Sequence, residues 1–208
     1  MSLFFTVDRK QHEVALQGRN LPAIRSALNF DAGQSLYDAG GEGLAWRVRH
    51  GVVRLDTLNP AGEMAFASLA INGDILGCET LLFGTYTFSA AALTRCELTP
   101  WPEGESATVG ESLLESLAIA QQRAADIVAL RGGQAIDRVI GLIRLLAAPG
   151  NKVILPTRQN IADITNLRFE TISRLIKGLE RAGVLSTVRI DGVHATRAYT
   201  VNLNALSS

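Results

Sequence analysis

Glu170, Ser173 and Arg174 are spaced so that a helix turning about 100° per residue carries all three on one side. Together they can read the edges of base pairs. An arginine fork matches guanine O6 and N7, a carboxylate accepts from the cytosine amino group, and a hydroxyl serves either base. Phe169, one residue earlier, is an apolar surface suited to a thymine methyl or to the edge of a core. Lys177 and Arg181 extend the same polar side, while Ile172, Leu175, Ile176 and Leu179 form the opposite, core-facing stripe. The plainer alternative is a Glu170–Arg174 surface ion pair at i, i+4, worth only about a few tenths of a kcal/mol.

The flanking sequence supplies the elements that would hold such a face. Arg168–Ala182 reads as a helix stopped by Gly183, preceded by a tight turn at Asn166-Leu167. Before the turn, Thr157 is placed to cap a short helix whose inward residues are Ile161 and Ile164. Short helix, tight turn and longer helix make a helix-turn-helix. Asp137–Ala148 is expected as a supporting helix with Val139, Leu142, Ile143 and Leu146 inward. Beyond Gly183, the runs Val184–Ile190 and His194–Val201 flank Asp191-Gly192, a hairpin signal. That hairpin makes a wing, from which Arg189 or Arg197 would touch phosphates, and on which His194 is expected as a surface residue.

Upstream, turn formers recur about every ten residues between Leu28 and Trp101, separating runs at Leu44–His50, Val52–Leu58, Met64–Ile71 and Thr85–Ser89. Such spacing predicts a small antiparallel sandwich or barrel. Leu21–Ile24 reads as the start of a short helix. After Pro100-Trp-Pro102, Glu103, Glu105, Glu111 and Glu115 crowd the start of a long helix, where the dipole favours them. Leu113, Leu117, Ala120, Ala124, Ile127 and Arg131 follow the near-3.5-residue period of a coiled-coil seam. Two readings stand: the helix pairs with a second copy of itself, or it lies on its own domain. Gly132-Gly133 then interrupts it as a hinge. The expected fold class is α+β: an N-terminal antiparallel β-roll, a long dimerisation helix and a C-terminal winged helix-turn-helix. The division falls at 1–132, including a helix at about 104–131, and 133–208.

Charge sharpens this division. The 208 residues carry 20 Lys and Arg against 20 Asp and Glu, but the first 150 hold 12 basic and 16 acidic residues and the remainder 8 and 4. The acidic front and basic back direct a polyanionic partner to the C-terminal part only. The run Val139–Ala148 is broken by Arg144 and falls far short of the roughly 20 residues that span a bilayer. Met1–Lys10 lacks a basic flank leading into an apolar run, so a cytoplasmic protein without signal peptide or membrane partner is expected. Neither a Ser/His/Asp arrangement nor a P-loop is present, and His50 is the only histidine in the roll. Enzyme classes built on those constellations, metal-dependent cupins included, are therefore not expected, and no metal site is.

Leu155–Ala162, Glu170–Arg174 and Leu179–Leu185 resemble the signature of the Crp–Fnr family of bacterial transcription regulators. The resemblance runs from about Leu28 to the C-terminus and is stronger in the helices than in the roll. It implies a homodimer on a palindromic operator of double-stranded DNA, with half-sites about one helical turn apart. RNA polymerase is a further implied partner, and a small molecule bound in the roll the implied switch. Thr157, Arg158 and Gln159 match phosphate-contacting positions, and Glu170, Ser173 and Arg174 match base-reading ones. Glu-x-x-Ser-Arg resembles the branch that reads a TTGAT-type half-site. Arg168 stands where the family usually has a Ser or Thr cap, exchanging that cap for a cation facing the DNA backbone. Lys177 joins the phosphate set.

The effector region departs from the family. Gly73–Gly77 resembles the start of the phosphate-binding cassette, but the positions that hold ribose and cyclic phosphate in the family are Cys78 and Phe88-Ser89-Ala90 here. A buried phosphate without its arginine would be an unpaired charge, costing several kcal/mol. Cyclic AMP is therefore not expected to bind. An apolar or planar effector, or none, is expected in a pocket of Gly77, Cys78, Phe88, Ser89, Ala90 and Arg123. Cys78 and Cys96 read as two small buried apolar residues, or alternatively as a redox pair or a haem ligand at Cys78. An iron–sulfur cluster of the family type needs clustered N-terminal cysteines, and none are present.

Overall fold

A computed structural model describes residues 27–101, 109–194 and 197–202. The expected helix start at Leu21–Ile24 lies outside them, as do the acidic residues Glu103 and Glu105.

Among the described residues, eight strands build the front of the molecule: β1 (Leu28–Phe30), β2 (Ser35–Tyr37), β3 (Ala45–His50), β4 (Val52–Leu58), β5 (Met64–Ile71), β6 (Ile75–Leu76), β7 (Ser89–Ala92) and β8 (Cys96–Trp101). They form two four-stranded antiparallel sheets, ordered β1-β8-β3-β6 and β2-β7-β4-β5. Between the sheets lies a core of Val48, Val53, Ala70, Leu76, Ala90, Ala92, Cys96 and Leu98. The longest ladder pairs Val52 with Ile71 through to Leu58 with Met64, with an irregularity between Leu55 and Asp56. At its tip the Asn59 side chain accepts from the amides of Ala61 and Glu63, both at 2.9 Å, fixing the turn locally.

Successive strand residues face opposite ways, and β4 and β5 use both faces. Val53 and Ala70 enter the roll core. Val52, Phe66 and Leu69 face outward into a second core, which continues into the C-terminal helices.

The expected strand Thr85–Ser89 is reduced: Thr85 makes an isolated antiparallel bridge to Glu42, and a continuous ladder begins only at Ser89. Tyr86 explains the reduction. Its ring fits between Gly43 and Gly77, where added Cβ atoms would collide with it. It also stacks on Tyr37 with centroids 3.7 Å apart. The Tyr86 hydroxyl accepts from the Leu44 amide at 2.9 Å and donates to the Leu44 carbonyl at 2.8 Å. A chain so pinned cannot also run as a ladder strand. Just before it, α1 (Thr80–Phe83) is a one-turn helix that the sequence reading did not anticipate.

Helix α2 (Val109–Ala129) has 21 residues and is about 30 Å long. Then follow α3 (Ala135–Leu146), β9 (Lys152–Ile154), α4 (Arg158–Thr165), α5 (Phe169–Arg181), β10 (Leu185–Thr187) and β11 (Ala198–Val201). The last strands join β9 in a sheet ordered β10-β11-β9. Among the described residues the hairpin is shorter than expected: Leu185–Thr187 pairs with Tyr199–Val201, and the Val188 amide adds a bond to the Ala198 carbonyl at 3.0 Å. Strand β9, just before Pro156, was too short to register as a periodic pattern. Thr157 caps α4 by accepting from the Asn160 amide at 3.2 Å. Asn166 then turns the chain at φ +52°, a left-handed conformation that asparagine tolerates.

Tyr86→Phe keeps the wedge but leaves both polar groups of Leu44 without their partner. A loss of about 1–3 kcal/mol is expected, read as a lower urea midpoint.

Candidate nucleic-acid interface and effector cavity

Helix α5 divides as its sequence dictates. Ile172, Ile176 and Leu179 are buried, and Leu175 is partly buried against the same core. Glu170, Arg174, Lys177 and Arg181 are exposed, Ser173 is half-buried and Phe169 is 47% exposed. Phe169 thus stands in solvent at the helix start rather than inside a core. Among the described residues no ion pair joins Glu170 to Arg174, so the carboxylate and the guanidinium face outward separately. Arg168 occupies the cap position with extended backbone and no side-chain hydrogen bond to the helix. The first-turn amides of α5 are left without a side-chain cap, an arrangement that favours an anion.

The residues matched to phosphate contacts have internal duties as well. Thr157 is the α4 cap. Arg158 donates to the Tyr199 hydroxyl at 3.2 Å, which in turn donates to Glu180 at 2.8 Å. Gln159 is exposed and donates to Asp163 at 2.9 Å. Lys177 and Arg189 are exposed. Arg197 requires correction: it does not reach from the wing. Its guanidinium turns inward and donates to the carbonyls of Leu155 at 2.8 Å and Leu93 at 2.9 Å. Burial, and then the charge of Arg158, lowers its pKa.

The Gly132-Gly133 segment, the expected hinge, is bonded by the arginine that follows it and flanked by the one before. Gly133 sits at φ +72°, where other residues are strained. Arg138 donates to both glycine carbonyls at 2.9–3.1 Å and to the Thr165 carbonyl at 3.3 Å. Arg131 donates to the carbonyls of Asp163 at 3.0 Å and Ile164 at 3.2 Å. Two cations therefore take up three of the last carbonyls of α4, where the helix dipole favours positive charge.

The expected seam of α2 differs in burial along its length: Leu117, Ala120 and Ala124 are exposed. Ile127 is buried in the core shared with Phe66 and Leu69, Ala120 and Ala124 line a cavity against the roll, and Arg131 is engaged at α4. The side chain of Leu113 lies outside the described residues. The large apolar residues of α2 left exposed are the seam residue Leu117 and its neighbours Leu114 and Val128, at 57%, 70% and 72%. The apolar outer face of β5 claims Ile127 alone among the described seam residues Leu117, Ala120, Ala124 and Ile127.

The cavity between roll and α2 measures about 450 Å³. Gly77, Cys78, Phe88 and Arg123 line it as expected. Ser89 and Ala90 do not: the Ser89 hydroxyl accepts from the Ala39 amide at 3.0 Å, and Ala90 enters the roll core because strand alternation begins there. Arg123 bonds Asp74 through two nitrogens at 3.1 and 3.3 Å and Asp126 through a third at 3.2 Å. Asp74 also accepts from the Ile71 amide at 2.9 Å. Among the described residues the one cation in the lining is thus matched by carboxylates, and Glu79 adds a further negative charge. A cyclic phosphate would meet no unclaimed positive charge there.

Cys96 is buried, its sulfur 3.3 Å from the Val52 carbonyl and 3.2 Å from the Thr94 carbonyl. Cys78, expected to be buried, is exposed on the cavity wall. Partial burial of its sulfur nevertheless raises the thiol pKa, and Glu79 adds to the effect. Both cysteines are free. Among the described residues no cluster of His, Cys, Asp and Glu is gathered to hold a metal, and no helix is long and apolar enough to cross a membrane.

No family model matches the chain. The nitrogen fixation regulation protein FixK of Bradyrhizobium diazoefficiens is 30% identical over 191 residues, covering 84% of this chain and 80% of that protein. A CRP-family transcriptional regulator from Thermus thermophilus superposes with a TM-score of 0.68 at 25% identity, covering 86% of this chain and 94% of that one. FixK2 from Bradyrhizobium japonicum has the same fold, with a TM-score of 0.64 at 22% identity and coverage of 88% and 96%.

In the native protein a thiol reagent should label Cys78 alone, with Cys96 reacting only after unfolding. Because the Cys78 pKa lies above its ordinary value of 9.0 and the thiolate is the reactive form, the rate should keep climbing as pH rises past that value. A plateau at neutral pH would count against this environment.

Proposed function

The chain belongs to the Crp–Fnr family of transcription regulators, and from that premise we propose that it binds a palindromic operator as a homodimer, with α5 in the major groove of each half-site. One observation carries this reading: the outer face of α5 presents Phe169, Glu170, Ser173 and Arg174 to solvent, with Glu170 and Arg174 not consumed by each other. Arg174 takes guanine, Glu170 a cytosine amino group, and Phe169 a thymine methyl, in keeping with a TTGAT-like half-site. Thr157, Arg158, Gln159, Arg168, Lys177 and Arg189 form the phosphate-contacting set, in which Arg168 and the uncapped first turn of α5 meet one backbone phosphate.

The second copy packs along Leu114, Leu117 and Val128 of α2. A dimer places two α5 helices on one duplex, as palindromic half-sites require. The acidic, largely apolar cavity under α2 takes an uncharged or cationic effector rather than cyclic AMP, and the hinge at Gly132-Gly133 follows its state. RNA polymerase is the partner through which operator binding alters transcription, and the cytoplasm is where it occurs.

Titration of labelled duplexes at several salt concentrations tests the reading. The wild type should bind a palindromic TTGAT-type duplex with two chains per duplex, its affinity falling steeply with salt as phosphate contacts release counterions. Arg174→Ala should lose about 1–3 kcal/mol of discrimination at one base pair, whereas Arg168→Ala should weaken all duplexes alike. Equal behaviour of the two variants would overturn the assignment of roles. Calorimetry should detect no heat of cyclic AMP binding; micromolar affinity would contradict the charge argument for the cavity.

A further inference from the structure

Arg54 belongs to neither the groove-facing surface nor the cavity, yet acceptor side chains from two parts of the chain converge on it. It lies on β4, its side chain only 15% exposed. Its Nε faces both Asp56 oxygens at 2.7 and 2.9 Å. Its Nη1 reaches across to α4, 3.1 Å from the Asn160 amide oxygen and 2.8 Å from the Asp163 carboxylate. Beneath it the Phe66 ring is shared by two cations, with the guanidinium carbons of Arg54 and Arg131 at 5.7 and 5.1 Å from its centroid. Arg131, one turn beyond Ile127 on the chain, grips the carbonyls of Asp163 and Ile164. Two parts of the front, β4 and the turn after α2, therefore both bond α4 at Asp163, with their guanidiniums over one aromatic ring.

The neighbours of these residues face the other way. Leu55, next to Arg54 on β4, lines the cavity, as does Ser68, its partner in the ladder. Ile127 lines it from α2. Strand alternation thus places a cavity wall and an α4 anchor on adjacent residues. An arginine buried this far is costly unless its partners are kept in position, and the guanidinium fork permits little tilt between them.

We propose that Arg54, with Phe66 and Arg131, is the joint that sets the orientation of the helix-turn-helix relative to the roll, so that Arg54 is a positioning residue for operator binding. The joint acts on the spacing between two α5 helices, not on the reading of either half-site. This rests on the operator-binding reading above.

The test compares wild type, Arg54→Ala, Asp163→Asn and the double variant on duplexes whose half-sites are set apart by successive single base pairs, and on a duplex with one half-site. Taking the ratio of affinities across spacings cancels any change in general attraction to phosphate that Asp163→Asn introduces. The wild type should favour one spacing. Each variant should flatten that preference about five- to tenfold, the size of an ordinary coupling between sites, and Arg54→Ala should do so without a comparable fall at the single half-site. The double variant should lose no more than the worse single one.

An unchanged spacing profile in Arg54→Ala would overturn the proposal. So would a parallel fall at every spacing and at the half-site, because that is the signature of mere destabilisation. If the wild type prefers no paired site, the operator reading fails instead, and small-angle scattering of the DNA-free variants then decides the joint. Arg54→Ala should broaden the distribution of domain separations, and identical profiles would refute it.

Discussion

The outer face of the β4–β5 ladder is the constraint on which the other parts depend. One side of this two-stranded surface closes the roll, through Val53 and Ala70. The other contributes Val52, Phe66 and Leu69 to a core that also holds Ile127 of α2 and Leu130 just past it, Val139 and Leu142 of α3, and Ile161 and Ile176 of the helix-turn-helix. Alternation along a strand has a period of two, so slipping the ladder by one residue would exchange the two apolar sets at once. Register here is therefore doubly specified. The C-terminal helices accordingly pack on the roll directly instead of hanging from it by the Gly132-Gly133 link.

That shared core explains where the basic charge went. The sequence places 8 Lys and Arg after residue 150, and counting them as one polycationic surface overstates it. Arg197 is turned inward to backbone carbonyls and Arg158 is tied to Tyr199. Earlier in the chain, Arg54, Arg131 and Arg138 likewise bond across elements, Arg131 while itself exposed. Guanidinium suits this use because its donors spread over a plane and can satisfy several acceptors at a helix end together.

The recognition helix was legible because its signal is local: an apolar stripe, a polar face and the stop at Gly183 all lie within fifteen or so consecutive residues. Thr157, the turn at Asn166 and the antiparallel layout of the roll were legible for the same reason. What escaped depends on partners distant along the chain. Tyr86 leaves its apparent strand because Gly43 and Gly77 make room for its ring. Ile127 leaves the coiled-coil seam because Phe66 and Leu69 lie beneath it. Arg54 looked like any outward residue of a strand, and only the approach of Asn160 and Asp163 gives it a role. The Glu-x-x-Ser-Arg spelling could locate a reading face, but no short pattern marks the residues that aim it.

The clasp on the end of α4 bears on how separable the two halves are. A recombination event that exchanged the C-terminal module at the glycine pair would carry Arg138 along with α4 but leave Arg54, Phe66 and Arg131 behind. The incoming module would meet a foreign socket with half of its own fastening missing. Modules of this kind are then expected to be inherited together with the strand that seats them, so that the natural unit of shuffling is larger than the helix-turn-helix itself.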